Sequence, residues 1–444
     1  MATPAVTTKI ESTPIELIET GRLAASPAFP ITRWALVAAM MAAPLAFGAV
    51  EAWAWAALLI VSFGLLMSWT IGSVRHGEVR IHLMPLYLPA LLFLVLCLTQ
   101  LFAGMTLDAY GTRESILKLL TVLIFFFVAG QVFAGAPKAV WRGLALAVTL
   151  YTFALGLFAI LQFFSSHNLI YWCIRSNGWT FGPYVNHNDF AGLMEMLIPI
   201  AGAYVFSRLR TDPRRLLLGF ALCVPVASVL LSGSRGGFVS LLVEALVLGA
   251  VLWRRSEDDG ARFLSMLPIG LAAATVLFFW MAPGKVVRRL GGLVDLTHTT
   301  QITLAQRELA ARDSLRVFRD HPWVGIGLGS FDAVFPQYRT FPTDLEWTHA
   351  HNDYAEVLAE TGVGGGVLIA YALLLFFRRA FRNLFVRRWR ETEWVQLGAA
   401  LGCCGLLVHS FVDFNLHVPA NALWFAVSVA LATVPTAATK AREI

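Results

Sequence analysis

The sequence predicts an all-α polytopic membrane protein with about twelve transmembrane helices and a large, partly helical periplasmic loop. Three observations predict it. Of the 444 residues 57% are hydrophobic and only 14% charged, against about 45–50% and about 25% in soluble domains, and the mean hydropathy is +0.67. The apolar residues come in long blocks, such as 84–103, 119–136, 216–231 and 263–282, each near the ~20 residues a helix needs to cross about 30 Å of hydrocarbon. Lys and Arg cluster in alternate short loops, as they do in multi-span proteins.

The elements follow in order. Residues 1–30 read as a polar cytoplasmic tail. Residues 1–28 carry Pro4, Pro14 and Pro27 and lack an apolar core beside a cleavage site, so no removable signal peptide is expected. The tail is expected to be disordered, and the first span to act as an uncleaved anchor. Residues 31–281 hold a bundle of about nine spans, near 31–49, 52–72, 84–103, 115–134, 143–163, 188–207, 216–232, 237–253 and 263–281. The first two form a hairpin around Gly48 to Ala52. Residues 282–355 are the outer loop. Residues 356–435 hold the last three spans, near 359–377, 394–412 and 419–435, and residues 436–444 form a short cytoplasmic tail.

Orientation follows from the cations. With the N-terminus inside, the inner loops hold Arg75 and Arg80, Lys138 and Arg142, Arg208 to Arg215, Arg254, Arg255 and Arg262, and the cluster Arg378 to Arg390. The short outer loops hold only Arg113, Lys118, Arg175 and Arg235. Both termini are therefore expected in the cytoplasm. The basic residues of the outer loop do not conflict with this, because long loops escape the rule. The formal charge of +6 sits in short loops and does not point to nucleic acid. Cys97, Cys223, Cys403 and Cys404 lie in apolar runs and read as small hydrophobes; only Cys173 falls in a polar loop, and no spacing suggests zinc or a disulfide.

A loop as long as 282–355 between packed spans is more often functional than idle. Leu304, Ala311, Leu315 and Phe318 share a helical face with Arg307 at its edge, and Pro322 ends that helix. Gly325, Gly327 and Gly329 then make a tight turn. No Lys-Ser/Thr follows, so a nucleotide phosphate loop is a weak reading.

Several polar residues need explaining. Arg235, in Ser-Gly-Ser-Arg-Gly-Gly, is either a snorkelling interfacial cation or an anion site, since a guanidinium forks onto phosphate oxygens. His351 precedes the tenth span, at a helix start capped by Asn352 or Asp353. The helix dipole there favours a neutral imidazole, which can accept a hydroxyl proton; the plainer reading is a histidine of a capping loop. His349 competes for the same role. His187-Asn188-Asp189-Phe190 echoes His351-Asn352-Asp353-Tyr354, through shared helix-start grammar or as two faces of one pocket. Glu195, Glu244, Glu356 and Glu360 fall within or near spans, where charges face a cavity or a partner. Trp172, Trp179 and Trp347 read as interfacial anchors or as platforms for sugar rings.

Taken together, Ser234-Arg235-Gly236-Gly237, Arg307 followed by Asp320-His321-Pro322-Trp323-Val324-Gly325-Ile326-Gly327-Leu328-Gly329, and His351-Asn352-Asp353-Tyr354 leading to Glu360-Thr361-Gly362 resemble the signature of the O-antigen ligase and polysaccharide polymerase superfamily. Phe181 to Gly192 and Asp413 to Pro419 are similar to stretches in such proteins. The resemblance spans roughly 175–425 and rests on the order of motifs that are individually weak.

The resemblance implies an inner-membrane glycosyltransferase of O-antigen or exopolysaccharide biosynthesis that faces the periplasm. Its donor would be a glycan on undecaprenyl pyrophosphate. Its acceptor would be a hydroxyl of lipid A-core in a ligase, or of another lipid-linked glycan in a polymerase. Arg235 and Arg307 would then hold the pyrophosphate and His351 would be the base. Arg175, His187 and Asn352 join them as candidate substrate-binding residues. No cofactor is expected, and no outer carboxylate cluster has metal-site character, so metal-independent transfer is expected. The rival class is a transporter or flippase of lipid-linked saccharide, which the intramembrane glutamates would suit but the outer Arg–glycine–His series would not require.

Overall fold

The computed structural model describes residues 15–18, 29–77, 79–176, 178–208, 215–255, 304–343, 346–382 and 391–435. Helices α1 (Pro30–Leu45), α2 (Ala52–Arg75), α3 (Tyr87–Phe102), α4 (Ala109–Phe133), α5 (Lys138–Ser165), α6 (His187–Arg208), α7 (Arg215–Ser232) and α8 (Arg235–Arg255) form the first part. Then come α9 (Leu304–Asp320), the single-turn α10 (Phe331–Val334), α11 (Asp353–Arg382), α12 (Glu391–His409) and α13 (Pro419–Thr433). Every predicted span coincides with a helix except 263–281. That segment lies outside the described residues, as do 282–303, Arg210, Arg214, Arg262 and residues 383–390 of the basic cluster.

Among the described residues, six helices are long and apolar enough to cross a bilayer: α2, α4, α5, α6, α8 and α11. Helices α1, α3 and α13 are apolar but have only 16, 16 and 15 residues. At 1.5 Å per residue they reach about 24 Å, less than a ~30 Å hydrocarbon core. The architecture is that of an all-α polytopic membrane protein.

Part of the polar leader departs from expectation. Residues β1 (Ile15–Ile18) pair in parallel with β2 (Val79–His82), Ile15 opposite Val79 and Ile18 opposite His82. The segment before α3 offers a free strand edge, and Ile-Glu-Leu-Ile is a composition that can pair with it.

Helix α6 lies at the centre, with 78% of its apolar stretch buried. It packs most extensively on α12, where small residues let the backbones approach: a Cβ added at Gly402 would lie 2.7 Å from Met196 Cα. The helix ends fall into two sets. At one end Arg33 on α1 donates to the Val132 carbonyl (2.7 Å), Arg142 forks onto Glu391, and Arg379 donates to the Thr433 carbonyl. At the other, Leu107 donates to the Ile326 carbonyl (2.8 Å) and Asp353 to the Ser410 carbonyl (3.0 Å).

Helix α9 forms where its periodicity places it and ends before Pro322, but its buried face differs from the predicted one. Ala310, Asp313, Ser314 and Val317 are buried, while Leu315 is 42% exposed. Asp313 is drawn inward because its carboxylate accepts the backbone and hydroxyl donors of Thr340, both at 2.8 Å. The small Ala310 and Ser314 turn inward on the same face.

The glycine turn docks onto a break in α11. Gly362 adopts φ 62, ψ −162 inside that helix, which interrupts its hydrogen bonding. The turn fills the gap: Ile326 and Gly327 donate to the carbonyls of Ala359 and Glu360 (3.0 Å each), and Val363 donates back to Pro322 (2.8 Å). Gln100 adds a bond to the Glu360 carbonyl at 2.8 Å. A Cβ at Gly325 would meet the Glu360 carbonyl carbon at 2.2 Å, and Gly325 has φ +72, so glycine is required twice over.

Candidate active site

Helix α11 starts at Asp353 because Asn352 caps it, its side-chain oxygen accepting from the Ala355 N–H (3.0 Å) while its amide donates to the Phe411 carbonyl (3.0 Å). Both ends of Asn352 are therefore used within the protein. His351, just before the cap, has φ 51. That left-handed conformation costs a non-glycine residue about 1–3 kcal/mol. It turns a buried imidazole toward the chain that leaves α12, where His351 Nδ1 lies 3.2 Å from Asp413 Oδ1.

Asp413 organises the centre. It is fully buried, and Arg307 of α9 donates from one guanidinium nitrogen to its Oδ2 (3.0 Å) and to the Val412 carbonyl (2.6 Å). Burial acts to raise the Asp413 carboxyl, but the His351 hydrogen bond, the Arg307 charge and the nearby His409 hold it well below the usual carboxylate range. His409 Nε2 is 4.0 Å from Asp413 Oδ2, and its Nδ1 bonds Glu195 of α6. The intramembrane Glu195 thus has a partner, as expected of a buried charge.

Arg235 is the first residue of α8 and is exposed. Its neighbour Gly236 packs on His409, where an added Cβ would come within 2.3 Å of the ring. The start of α8 therefore abuts the cluster that holds Asp413. His187 begins α6 and stacks on Trp179 at 4.3 Å, with Nδ1 buried and unpartnered. The two echoed helix starts meet one chain segment: Asp189 accepts from Asn421 through its carbonyl (2.9 Å), and Asp353 Oδ2 accepts from Leu416 N–H (3.4 Å). Arg175 lies exposed in β4 (Ile174–Arg175), which pairs with β3 (Leu169–Ile170). Trp347 lines the large cavity described below. It is buried and meets the His351 ring edge-on at 5.2 Å.

A second imidazole cluster lies beside the first. His349 Nδ1 is 2.8 Å from Glu356 Oε1, and the other Glu356 oxygen accepts from Ala350 N–H at 2.7 Å. His417 Nδ1 is 2.9 Å from Asp353 Oδ1 and its Nε2 is 3.2 Å from Glu356 Oε1. Burial acts to lower His417, but Glu356 and Asp353 raise it to about 10. The Phe414 ring separates the clusters, stacked on His349 at 4.5 Å and edge-on to His351 at 4.9 Å. His349, Glu356 and His417 line a cavity of about 1120 Å³ whose walls include Leu58, Phe93, Leu123 and Phe376. Its polar lining is mainly acidic, with Asp108, Glu114, Asp332 and Glu346 beside Lys118 and Arg339.

The sequence named His351, Arg307 and Arg235 but gave no role to Asp413, His409 or His417. The signals were faint: His409 and Asp413 stand four apart across a helix end, and His417 lies in a stretch quoted only for its resemblance. No match was found among curated proteins. Residues 218–370 match the family model described as O-antigen ligase. That stretch holds the start of α8 with Arg235, the Arg307 helix, the docked glycine turn and His351, and over it the chain is similar to the O-antigen ligases.

Proposed function

We propose that this chain is a periplasm-facing glycosyltransferase of the inner membrane that moves a glycan from undecaprenyl pyrophosphate to a sugar hydroxyl. In this reading about twelve spans cross the bilayer, residues 282–355 are periplasmic and both termini are cytoplasmic. The observation that carries it is the His351–Asp413–Arg307 array, which joins an oriented imidazole to a fixed guanidinium. Asp413 holds His351 through Nδ1 and leaves Nε2 to take the acceptor's proton. As the acceptor oxygen bonds to the anomeric carbon, the bond from that carbon to the pyrophosphate oxygen breaks and its electrons leave with the phosphate. Arg307 and Arg235 offset the charge that develops there.

The acidic lining of the large cavity disfavours pyrophosphate, which supports placing the anion on the Arg307 side. The apolar walls suit the lipid-linked acceptor. Extra outer cations lean toward polymerisation: Arg175, Arg312 and Arg319 are exposed, although Arg316 pairs with Asp313 at 3.2 Å. The test incubates purified protein with lipid-linked repeats alone, alongside His351→Ala. A ladder of longer glycans that the variant fails to make, with a loss of about 10²–10⁴-fold, is the expected result. Transfer only after lipid A-core is added would make the protein a ligase. Undiminished transfer by His351→Ala with His349→Ala inactive would move the base to His349.

A further inference from the structure

We propose that His349, Glu356 and His417 bind a divalent transition-metal ion of the zinc class, and that this ion ties the loop bearing His351 to the turn bearing Asp413. Folding brings together imidazoles that lie far apart in the sequence, His349 and His417, around one carboxylate. Two imidazoles and a carboxylate are a donor set suited to zinc-like ions.

The geometry fits. One ligand atom from each residue lies within 4.8 Å of the others. Glu356 Oε1 is 2.8 Å from His349 Nδ1 and 3.2 Å from His417 Nε2. Ligand atoms about 2.0–2.2 Å from a tetrahedral ion are about 3.3–3.6 Å apart, so small side-chain rotations complete the set. The surroundings are those of a built site. Asp353 accepts from His417 Nδ1 at 2.9 Å, the outer carboxylate that fixes a ligating histidine's tautomer and orientation. The Ala350 N–H occupies Glu356 Oε2 and leaves Oε1 for the ion. The cluster borders the large cavity, which leaves a side open for a water or a substrate oxygen.

The position assigns the role. His349 lies two residues before His351, and His417 four after Asp413. An ion joining them fixes both halves of the His351–Asp413 pair without touching either. It is a positioning element, and the leaving-group charge still falls to the arginines.

The test uses untagged full-length protein in nanodiscs, stripped with chelator and titrated with Co²⁺ alone. One Co²⁺ per chain, with visible absorption of tetrahedral intensity that Zn²⁺ abolishes, is expected. The His349→Gln/His417→Gln double variant should lose this signal, and Asp353→Asn should weaken Co²⁺ binding about 10–100-fold. No stoichiometric Co²⁺ uptake by the wild-type protein, or unchanged uptake by the double variant, overturns the proposal. These readouts do not involve glycan transfer, so they stand or fall separately from the proposed activity.

Discussion

Asp413→Asn is the sharpest probe of the centre because it keeps shape and removes charge. The wild-type carboxylate is fully buried and takes three donors: His351 at 3.2 Å, Arg307 at 3.0 Å and the Phe414 N–H at 3.1 Å. An amide has one oxygen, so its NH₂ must face either His351 Nδ1–H or Arg307. At least one charge-assisted bond is lost, worth about 1.5–3 kcal/mol, and Arg307 keeps its charge beside a neutral group. The variant is expected to fold with a lower Tm. The catalytic effect is larger, because His351 loses the acceptor that sets its tautomer: a fall of about 10²–10⁴-fold in kcat, or about 3–5 kcal/mol.

The acid limb of stability supplies a second readout. A carboxyl held low in the folded state adds stability that is present above its unfolded value of about 3.8 and is lost as pH falls through the folded value. Thermal melts of Asp413→Asn should therefore show a steady deficit from neutral pH down to about pH 4 that narrows only as pH falls further. The assay is glycan transfer at saturating donor, with melts carried from neutral pH down to about pH 2. A kcat within about threefold of wild-type, while His351→Ala is inactive, would refute the positioning role.

Three further outcomes follow from the same geometry. Arg235→Lys and Arg307→Lys should both weaken undecaprenyl pyrophosphate binding and transfer, since an ammonium cannot fork onto two oxygens; normal donor affinity in both would leave them as interfacial cations. Gly325→Ala places a methyl 2.2 Å from the Glu360 carbonyl carbon at φ +72 and should cost about 2–5 kcal/mol, read as a lost or strongly lowered melting transition; an unchanged Tm would contradict the docking of the turn. Cys173 is exposed in a loop expected outside, so an impermeant maleimide should label it in intact spheroplasts but not label Cys173→Ser; labelling only after lysis would invert the topology.

Much of this was legible in the residues. Apolar blocks of span length gave the helices, because a bilayer imposes length and hydropathy locally. Gly48 and Pro322 marked real ends for the same local reason. His351 was legible because Asn-Asp after it starts a helix. Asp413 was not, because its tie to His351 spans 62 positions and its tie to Arg307 spans 106, and nothing in either neighbourhood encodes such a distance. The buried face of α9 is not legible from its hydrophobes, because Asp313 turns inward only by accepting from Thr340 across 27 positions. The glycine turn read as a bare reversal because its partner is a helix break that Gly362 alone does not announce.

That break has a mechanical meaning. Above Gly362, the first turns of α11 are bonded to the glycine turn and to the end of α12 rather than carried on by an unbroken hydrogen-bond ladder. Below it, the same helix runs on toward Arg382 as an apolar shaft. The turn braces the break from both sides, Ile326 and Gly327 bonding the residues above it and Val363 and Gly364 bonding back to Pro322 and Trp323 from below. The start of α11, just after His351, is thereby anchored to the glycine turn and to the end of α12 as well as to the helix it begins.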